Sequence, residues 1–282
     1  MSQTAIGSLF NATRTAFVAV TPQLWAPAGH ALAYQLRPQP GEHVLDFCCG
    51  TGASALPAAA AVGPTGRVHA IDLADDLLEE GRRVASERAL QNIDFVVADA
   101  TTWEPPSSVP AAGYDALACA YGVFFLPDMD LAVARMLHLA RSGGRFGVTV
   151  WRHGAMDEFA HAYLDALDEV APEAVPAGAG RTRANSLARQ QSQRLDTPEK
   201  LAGWLTGLGA TAVEIGELSN FVPATEETAW NLVLGGDLRA PLTNLNAGTI
   251  EAVRSRFVTL LTERDVHTID AGTLVGTAVI EH

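Results

Sequence analysis

Short apolar segments alternate with longer helical patterns from about residue 42 onwards. Five segments are almost continuously apolar, as strands covered on both faces are. These segments are residues 43–47, 68–72, 93–98, 114–120 and 145–151. Helical spacing of apolar residues separates several of them, over residues 53–62, 77–85 and 129–140. Helices between successive strands predict βαβ units and a parallel sheet.

Glycine pairs and proline mark the ends of two of these helices. Gly63 and Pro64 should end the first, and Gly143 and Gly144 the third. Beyond Trp151 the alternation becomes irregular. The segments there are a helix at 158–170, a Pro/Gly/Ala-rich stretch at 172–180, a helix at 198–208, a strand at 211–217, a mostly helical region at 225–267 and a strand at 273–281. The last strand has no helix after it, so it can insert antiparallel.

The balance of charged residues excludes two classes of partner. The chain has 19 Lys and Arg against 32 Asp and Glu, a net charge of −13 over 282 residues. Nucleic-acid grooves and polybasic membrane patches both need clustered Lys and Arg. We therefore expect neither partner. With 48% apolar residues, the chain can still bury a substantial core.

Cysteine usage and the N-terminal segment indicate a reduced, cytoplasmic protein. Cys48, Cys49 and Cys119 are too few for a disulfide framework and lack metal-ligand spacing, so we expect buried thiols and no metal, with a thiol nucleophile as the alternative. No basic segment precedes an apolar one in residues 1–20. The longest apolar run, about a dozen residues, is too short for a membrane span, which takes about 20. The sequence is compatible with a homodimer.

A glycine loop between the first strand and the first helix carries the clearest chemistry. Within VLDFCCGTGASA, residues 44–55, Gly50, Gly52 and Ala55 match G-x-G-x-x-A. Glycines let the backbone turn sharply against a cofactor. Asp72 ends the second strand 22 residues after Gly50, where its carboxylate can accept hydrogen bonds from ribose hydroxyls. This pattern alone predicts a dinucleotide site.

Asp46 distinguishes between two cofactors. It lies four residues before Gly50, where its charge would repel a pyrophosphate. S-adenosylmethionine has no phosphate, and its sulfonium and ammonium groups are both positive. An acid here therefore favours S-adenosylmethionine, and an NAD(P)-dependent oxidoreductase is the weaker alternative. The structural alternative for Asp46 is a buried cap of the following turn.

These residues resemble a known family. VLDFCCGTG followed by Asp72 is similar to motif I and the ribose-binding acid of class I S-adenosylmethionine-dependent methyltransferases. Residues 120–151 resemble the ubiquinone/menaquinone-biosynthesis-like (methyltransferase type 11/25-like) subgroup. The resemblance is strong over residues 40–151. It implies an α/β, Rossmann-like sheet of seven strands with the last strand antiparallel, and helical cap insertions. Cys48 departs from the family, which usually has the first glycine of its loop there.

The resemblance also implies contacts along the whole cofactor. From the methionine end to the adenine end, the residues concerned are Asp46, Phe47, Cys48, Gly50, Gly52, Ala120, Tyr121, Asp72, Leu73, Asp99 and Ala100. Asp72 would bind the ribose hydroxyls and Leu73 would pack on the adenine. Asp99 would meet the adenine amino group, or would instead cap Thr101 or Thr102.

The resemblance divides the chain into four parts. They are an N-terminal helical flank (1–40), a cofactor-binding Rossmann-like core (41–151), an acceptor-side cap (152–195) and the C-terminal part of the sheet (196–282), with a helical insertion at 225–267. Ligands of open α/β sheets bind beyond the carboxyl ends of the strands. We therefore expect the two insertions to determine which methyl acceptor binds.

Methyl transfer from a sulfonium is an in-line displacement, so positioning at about 3–3.5 Å carries much of the catalysis. A hydroxyl acceptor also needs a base. His153 and His161 are the candidate bases, each with a surface or packing role as the alternative. Tyr121, Phe124 and Phe125 are candidate pocket residues, although aromatics there are equally typical of a core.

A basic run, Arg181, Arg183, Arg189 and Arg194, stands out in an acidic chain. Our hypothesis is that one of these arginines contacts an acidic group on the acceptor, and the alternative is a mobile solvated loop. We expect methyl transfer to oxygen or carbon of a small, largely apolar molecule such as a quinone, phenol or polyketide. A non-methylating protein or cyclase that binds the same cofactor would have the same loop residues.

Overall fold

The strands of the computed structural model, which describes residues 3–174 and 187–282, form one large sheet and one small one. In chain order they are β1 (His43–Phe47), β2 (Arg67–Asp72), β3 (Ile93–Val97), β4 (Tyr114–Ala120), β5 (Ala140–Trp151), β6 (Thr211–Leu218), β7 (Phe221–Pro223), β8 (Thr268–Asp270) and β9 (Thr273–Ile280). The large sheet has the order β3-β2-β1-β4-β5-β9-β6, and β7 pairs with β8. The β7–β8 pair was not predicted from the sequence.

The direction of pairing follows the predicted pattern. β1 to β5 run parallel to their neighbours, whereas β9 lies antiparallel between β5 and β6. The predicted seven-stranded α/β sheet with an antiparallel last strand is therefore confirmed. β1 and β4 are adjacent in the sheet although β2 and β3 lie between them in the sequence. The chain leaves the sheet in opposite directions after these two strands, and a crevice opens at their carboxyl ends.

Helices precede, connect and cover the sheet. They are α1 (Gln3–Asn11), α2 (Arg14–Val20), α3 (Trp25–Leu36), α4 (Ala55–Val62), α5 (Asp75–Glu87), α6 (Met129–Leu137), α7 (Asp157–Val170), α8 (Leu187–Gln193), α9 (Pro198–Gly207), α10 (Glu226–Leu234) and α11 (Ala247–Glu263). Local sequence explains individual starts. The hydroxyl of Thr197 caps α9, with Pro198 at its first position.

Apolar side chains form three packed regions. Leu32 of α3 and Leu78 of α5 pack with α4 on one face of the sheet. Met136 of α6 and Leu205 of α9 pack on the other face. A third cluster, with Phe257 of α11 near its centre, joins α7, α10 and α11 to α2. The N-terminal helices therefore pack against the helical insertion as well as the sheet.

Two sequence predictions about local structure were wrong. α6 ends at Leu137, and Gly143 and Gly144 lie inside β5, which begins at Ala140. The reason is tertiary, because Ala140 pairs with Tyr114 at the start of β4 and this pairing extends the strand through the glycines. Residues 187–193 form α8, where no helix was predicted. Arg181 and Arg183 of the basic run lie outside the described residues.

Replacing Gly29 by alanine should destabilise the protein, because α3 packs directly against the glycine loop. A Cβ atom at Gly29 would lie 2.3 Å from the backbone carbonyl of Ala53. Backbone cannot move aside as a side chain can, so we expect a loss of about 1–3 kcal/mol. Thermal unfolding measures it. Gly203→Ala in α9, where a Cβ has open space, is the control and should be neutral or stabilising by up to about 1 kcal/mol. Equal effects of the two changes would contradict this packing.

Candidate cofactor and acceptor site

The loop after β1 turns through three left-handed residues. Cys48, Gly50 and Gly52 have φ angles of 56°, 54° and 82°. A Cβ at Gly52 would lie 2.9 Å from the ring of Phe95, so glycine is required there for space as well as conformation. The turn exposes backbone of residues 48–51 to the crevice between β1 and β4.

Cys48 occupies the position where the resemblance predicts glycine. A non-glycine residue in the left-handed region costs roughly 1–2 kcal/mol. Its side chain occupies the space that a side chain at Gly122 would need, because a Cβ at Gly122 would lie only 2.4 Å from the Cys48 Cβ. The absence of a side chain at Gly122 therefore makes room for the cysteine.

Asp72 links the glycine loop to the end of β2. One carboxylate oxygen accepts a 2.8 Å hydrogen bond from the N–H of Gly50, and the other accepts a 2.9 Å bond from the N–H of Ala74. Burial raises the pKa of Asp72 in spite of these bonds. Each oxygen keeps a lone pair, and the residue lines the crevice where ribose hydroxyls would reach it.

Asp46 is fully buried at the centre of the sheet. Its Oδ2 accepts a 2.6 Å hydrogen bond from the hydroxyl of Ser54, whereas its Oδ1 has no hydrogen-bond partner among the described residues. Burial, with a smaller contribution from the charge of Asp72, raises the pKa of Asp46 to about 7. The Thr51 hydroxyl is a second buried group without a partner in the described part of the chain.

These unpaired groups fit S-adenosylmethionine. A carboxylate without a full set of partners would be stabilised by a nearby ammonium or sulfonium. Thr51 and the loop backbone supply hydrogen-bonding groups on the cavity wall. An apolar slot lined by Leu73, Ala98 and Ala100 could hold an adenine ring, and α1 covers it because Gly7 packs against Leu73.

The predicted cofactor residues divide into two groups in the structure. Those that line the cavity are Cys48, Gly50, Asp72, Leu73, Ala100, Ala120 and Tyr121. Asp46, Phe47, Gly52 and Asp99 lie behind it. Phe47 points into the core and stacks on Phe146 with ring centroids 6.1 Å apart. The Asp99 carboxylate accepts hydrogen bonds from the N–H and the hydroxyl of Thr101, the capping role that was its alternative.

Aromatic rings surround the part of the cavity beyond the loop. The cavity encloses about 460 Å³, and its aromatic lining consists of Phe10, Phe17, Trp25, Tyr121, Phe124, Phe125 and Trp151. Tyr121 and Trp151 have ring centroids 4.3 Å apart, and Phe17 stacks on Trp25 at 5.0 Å. Tyr121, Phe124 and Phe125 were predicted from the sequence. The other four were not. Phe10, Phe17 and Trp25 belong to α1–α3, more than a hundred residues before the cap, and Trp151 is the last residue of β5.

His153 forms the most developed polar arrangement on the cavity wall. Its Nδ1 lies 2.8 Å from Oδ2 of Asp196, and its backbone N–H donates to the Asp196 carbonyl at 2.6 Å. Lys200 donates to the second carboxylate oxygen at 2.6 Å. His161 is exposed on α7 and is not part of the cavity lining. Asp196 carried no sequence signal, since it lies 43 residues from His153.

Of the basic run, Arg189 reaches the cavity. It forms an ion pair of 3.3 Å with Asp157 of α7. Asp237, which follows α10, lines the same region; burial raises its pKa, and Arg189 opposes that rise. Arg194 instead pairs with Asp130, away from the cavity wall. The described basic side chains of this run are thus engaged with acids of the same chain.

A comparison with family models decides between the cofactors. Residues 23–195 match the model of the ubiE/COQ5 methyltransferase family. The chain belongs to the ubiE/COQ5 methyltransferase family. As a member of this family it is an S-adenosylmethionine-dependent methyltransferase that acts on small molecules, which confirms the predicted cofactor and reaction and leaves the NAD(P) alternative without support.

This ubiE/COQ5 family member is similar to two curated enzymes. It is 37% identical over 193 residues to the aklanonic acid methyltransferase DauC of Streptomyces sp. (strain C5), covering 66% of this chain and 83% of that protein. It is 31% identical over 164 residues to the nocamycin O-methyltransferase of Saccharothrix syringae, covering 55% of each. The chain thus spans just over half the length of the nocamycin enzyme.

The fold is shared with solved structures. The [4+2]-cyclase SpnF superposes with a TM-score of 0.58 at 17% identity, covering 100% of this chain and 97% of that one. A likeness at this identity concerns the fold alone. Among the helices in the described ranges, none has the length and apolar character needed to cross a membrane.

The affinity of the family member for S-adenosylhomocysteine should depend on pH through Asp46. Because the pKa of Asp46 is about 7 in the folded chain, against 3.8 ordinarily, the ligand-free protein holds a proton there that the unfolded chain has lost. Its stability therefore falls as pH rises from about 4 to 7. The ligand's ammonium favours the ionised form, so affinity should weaken below pH 7 by up to about tenfold per pH unit.

Calorimetry from about pH 5.5 to 8.5 measures this dependence. Asp46→Asn is the matched control, since the amide cannot titrate in this range and its pH profile should be flat. A wild-type profile as flat as that of the variant would contradict a charge interaction between Asp46 and the ligand.

Two substitutions at Cys48 should distinguish the effect of backbone conformation in the loop from the effect of side-chain packing. Cys48→Gly removes the left-handed strain, worth roughly 1 kcal/mol, and should retain folding and S-adenosylhomocysteine binding. Cys48→Val places a β-branched residue at a φ of 56°, which it adopts poorly, and should lower both thermal stability and affinity. Equal behaviour of the two variants would show that the loop tolerates other conformations.

Proposed function

We propose that this methyltransferase transfers a methyl group to an oxygen atom of a flat, largely apolar aromatic molecule of the phenol, quinone or polyketide kind. The observation that carries the proposal is the aromatic part of the cavity, which adjoins the glycine loop. Rings at the edge of such a cavity bind planar aromatic ligands by stacking and edge contacts. The cavity as a whole, including the part beside the glycine loop, has a volume of about 460 Å³, which lies in the range of small-molecule binding sites.

The relatives support the same acceptor class. The names of two similar enzymes specify an acid, aklanonic acid, and an O-methyl transfer, that of nocamycin. The similarity to the first extends over 66% of this chain. Oxygen is therefore the acceptor atom that we favour over carbon.

His153 is the base that we propose for a hydroxyl acceptor. It lines the cavity, whereas His161 is exposed on α7 outside it, so of the two candidates only His153 is retained. The cofactor roles of Asp46, Asp72 and the loop backbone are proposed with it. Asp72 would hold the ribose hydroxyls, and Tyr121 would separate the cofactor from the acceptor. The adenine contact of Asp99 stays a prediction.

We propose that the enzyme acts in the cytoplasm on a free small molecule and without a nucleic-acid partner. The net charge of −13 disfavours polyanion binding. Cys48, Cys49 and Cys119 are all free thiols, which suits a reducing compartment. The homodimer stays a prediction that sedimentation of the full chain can test.

Methyl transfer from radiolabelled S-adenosylmethionine tests the proposal. A panel of phenols, hydroxyquinones and aromatic polyketide acids of three or four rings should contain acceptors that become labelled at oxygen. Asp72→Ala should lose S-adenosylhomocysteine affinity at least about tenfold, since hydrogen bonds to a charged group contribute about 1.5–3 kcal/mol. Binding of S-adenosylhomocysteine without transfer to any member of the panel would overturn the proposed acceptor class.

Trp25→Leu should raise the KM for an aromatic acceptor about threefold to tenfold. The indole packs against Phe17, Tyr121 and Trp151, and aromatic pairs contribute about 0.5–1.5 kcal/mol beyond their buried area. Affinity for S-adenosylhomocysteine should change little. Phe221→Leu, at an exposed aromatic on β7, is the control. An unchanged KM in the Trp25 variant would show that this aromatic wall does not contact the acceptor.

A further inference from the structure

We propose that Asp196 is a positioning residue that orients His153 to take a proton from a neutral hydroxyl acceptor, with Lys200 bonded to the other carboxylate oxygen of Asp196. This inference rests on the proposed function, because it specifies the class of acceptor group. The acceptor oxygen is a phenol or enol hydroxyl that carries its proton when it binds.

Asp196 holds His153 at two points. The Asp196 carbonyl accepts from the backbone N–H of His153 at 2.6 Å, and its Oδ2 lies 2.8 Å from Nδ1 of the imidazole. The two residues come from different elements, one directly after β5 and the other directly before α9. The first bond places the backbone of His153 and the second sets the direction of its ring.

Lys200 affects the protonation state of the Asp196 carboxylate. Its ammonium donates to Oδ1 of Asp196 at 2.6 Å from the first turn of α9. Burial alone would raise the pKa of Asp196, but hydrogen bonds from Lys200 and His153 outweigh it and hold that pKa below its usual range. The ionised carboxylate can only accept. The proton of neutral His153 must therefore be on Nδ1, which leaves the Nε2 lone pair free to act as a base.

The other charged groups around His153 are paired with one another. Arg152 forms ion pairs with Asp270 and Glu217, and Arg189 pairs with Asp157. Among the described residues, Asp196 is thus the acid that contacts the imidazole. The His153 side chain is 76% exposed, whereas that of Asp196 is 10% exposed. The base is accessible to a ligand and its partner is shielded from water.

The proton and electron balance follows from this arrangement. The acceptor O–H proton moves to Nε2 as an oxygen electron pair forms the bond to the methyl carbon. The carbon–sulfur bond breaks, and its electron pair stays on sulfur in neutral S-adenosylhomocysteine. The imidazolium that results is stabilised by the Asp196 carboxylate. A carboxylate acceptor has no proton to lose, so it would not need this base.

The experiment compares two acceptors on one aromatic skeleton, one with a phenol and one with a carboxylate at the reacting position. Asp196→Asn should lower kcat for the phenol about 100-fold or more, as expected for loss of general-base catalysis. KM for the phenol and kcat for the carboxylate should stay within about threefold of wild type, because the lost step affects only proton removal. Alkaline pH, which ionises the phenol in solution, should restore part of the rate lost in Asp196→Asn. Lys200→Met should lower kcat for the phenol as well, but by less than Asp196→Asn does, and should not lower kcat for the carboxylate.

Asp130→Asn is the matched control, since Asp130 is ion-paired to Arg194 and does not line the cavity; it should leave both acceptors unchanged. Equal losses for phenol and carboxylate in Asp196→Asn would overturn the inference in favour of a purely structural role. No loss for either, or a wild-type enzyme that methylates the carboxylate alone, would also overturn it and leave the proposed function standing. A wild type that methylates neither would instead be a failure of the proposed function.

Discussion

A buried carboxylate near the end of β1 is the constraint on which the cofactor site depends. Asp46 is 0% exposed and has one oxygen with no partner in the described chain, and removal of such a group from water disfavours its charged form. Asp72 lies close enough to raise the pKa of Asp46 further. Two neighbouring buried acids, Asp72 on the cavity wall and Asp46 behind it, are compatible with a cationic ligand and unfavourable for a phosphate. The negative charge of the site therefore favours a cationic cofactor, independently of any contact with adenine.

The loop geometry is the consequence of bringing these acids together. The N–H of Gly50 can reach Asp72 only because the chain reverses direction after β1 in left-handed conformations. Glycine adopts them readily, and Cys48, the non-glycine residue of this turn in the left-handed region, is accommodated by the missing side chain at Gly122. Gly29 and Gly52 allow α3 and Phe95 to press on the loop from behind. The loop is held by packing as well as by its own hydrogen bonds, which favours a preformed site.

Sequence reasoning predicted what depends on local periodicity. The first five strands, the antiparallel last strand, the glycine loop and the acids at the ends of β1 and β2 all follow from short patterns. It failed where distant segments meet. The start of β5 depends on pairing with β4, and the cavity wall depends on the packing of α2 against α10. Asp196 illustrates the limit, because its relation to His153 exists only once α9 packs beside the sheet.

The proposed cofactor contacts and the proposed acceptor contacts lie on different parts of the fold. The proposed cofactor contacts lie at strand ends and on the loops that follow them, where strand pairing determines their positions. The proposed acceptor contacts come mainly from α1–α3, the segment after β5 and the helical insertion, which lie outside the sheet, together with Trp151 at the end of β5. Substitutions in these helices can change the shape of the aromatic wall without disturbing Asp46 or Asp72. His153 lies at the boundary of the two regions, since it follows β5 directly but is held by a residue before α9. A base in that place would be positioned by the end of β5 and by the residue before α9, and not by the helices that form the aromatic wall.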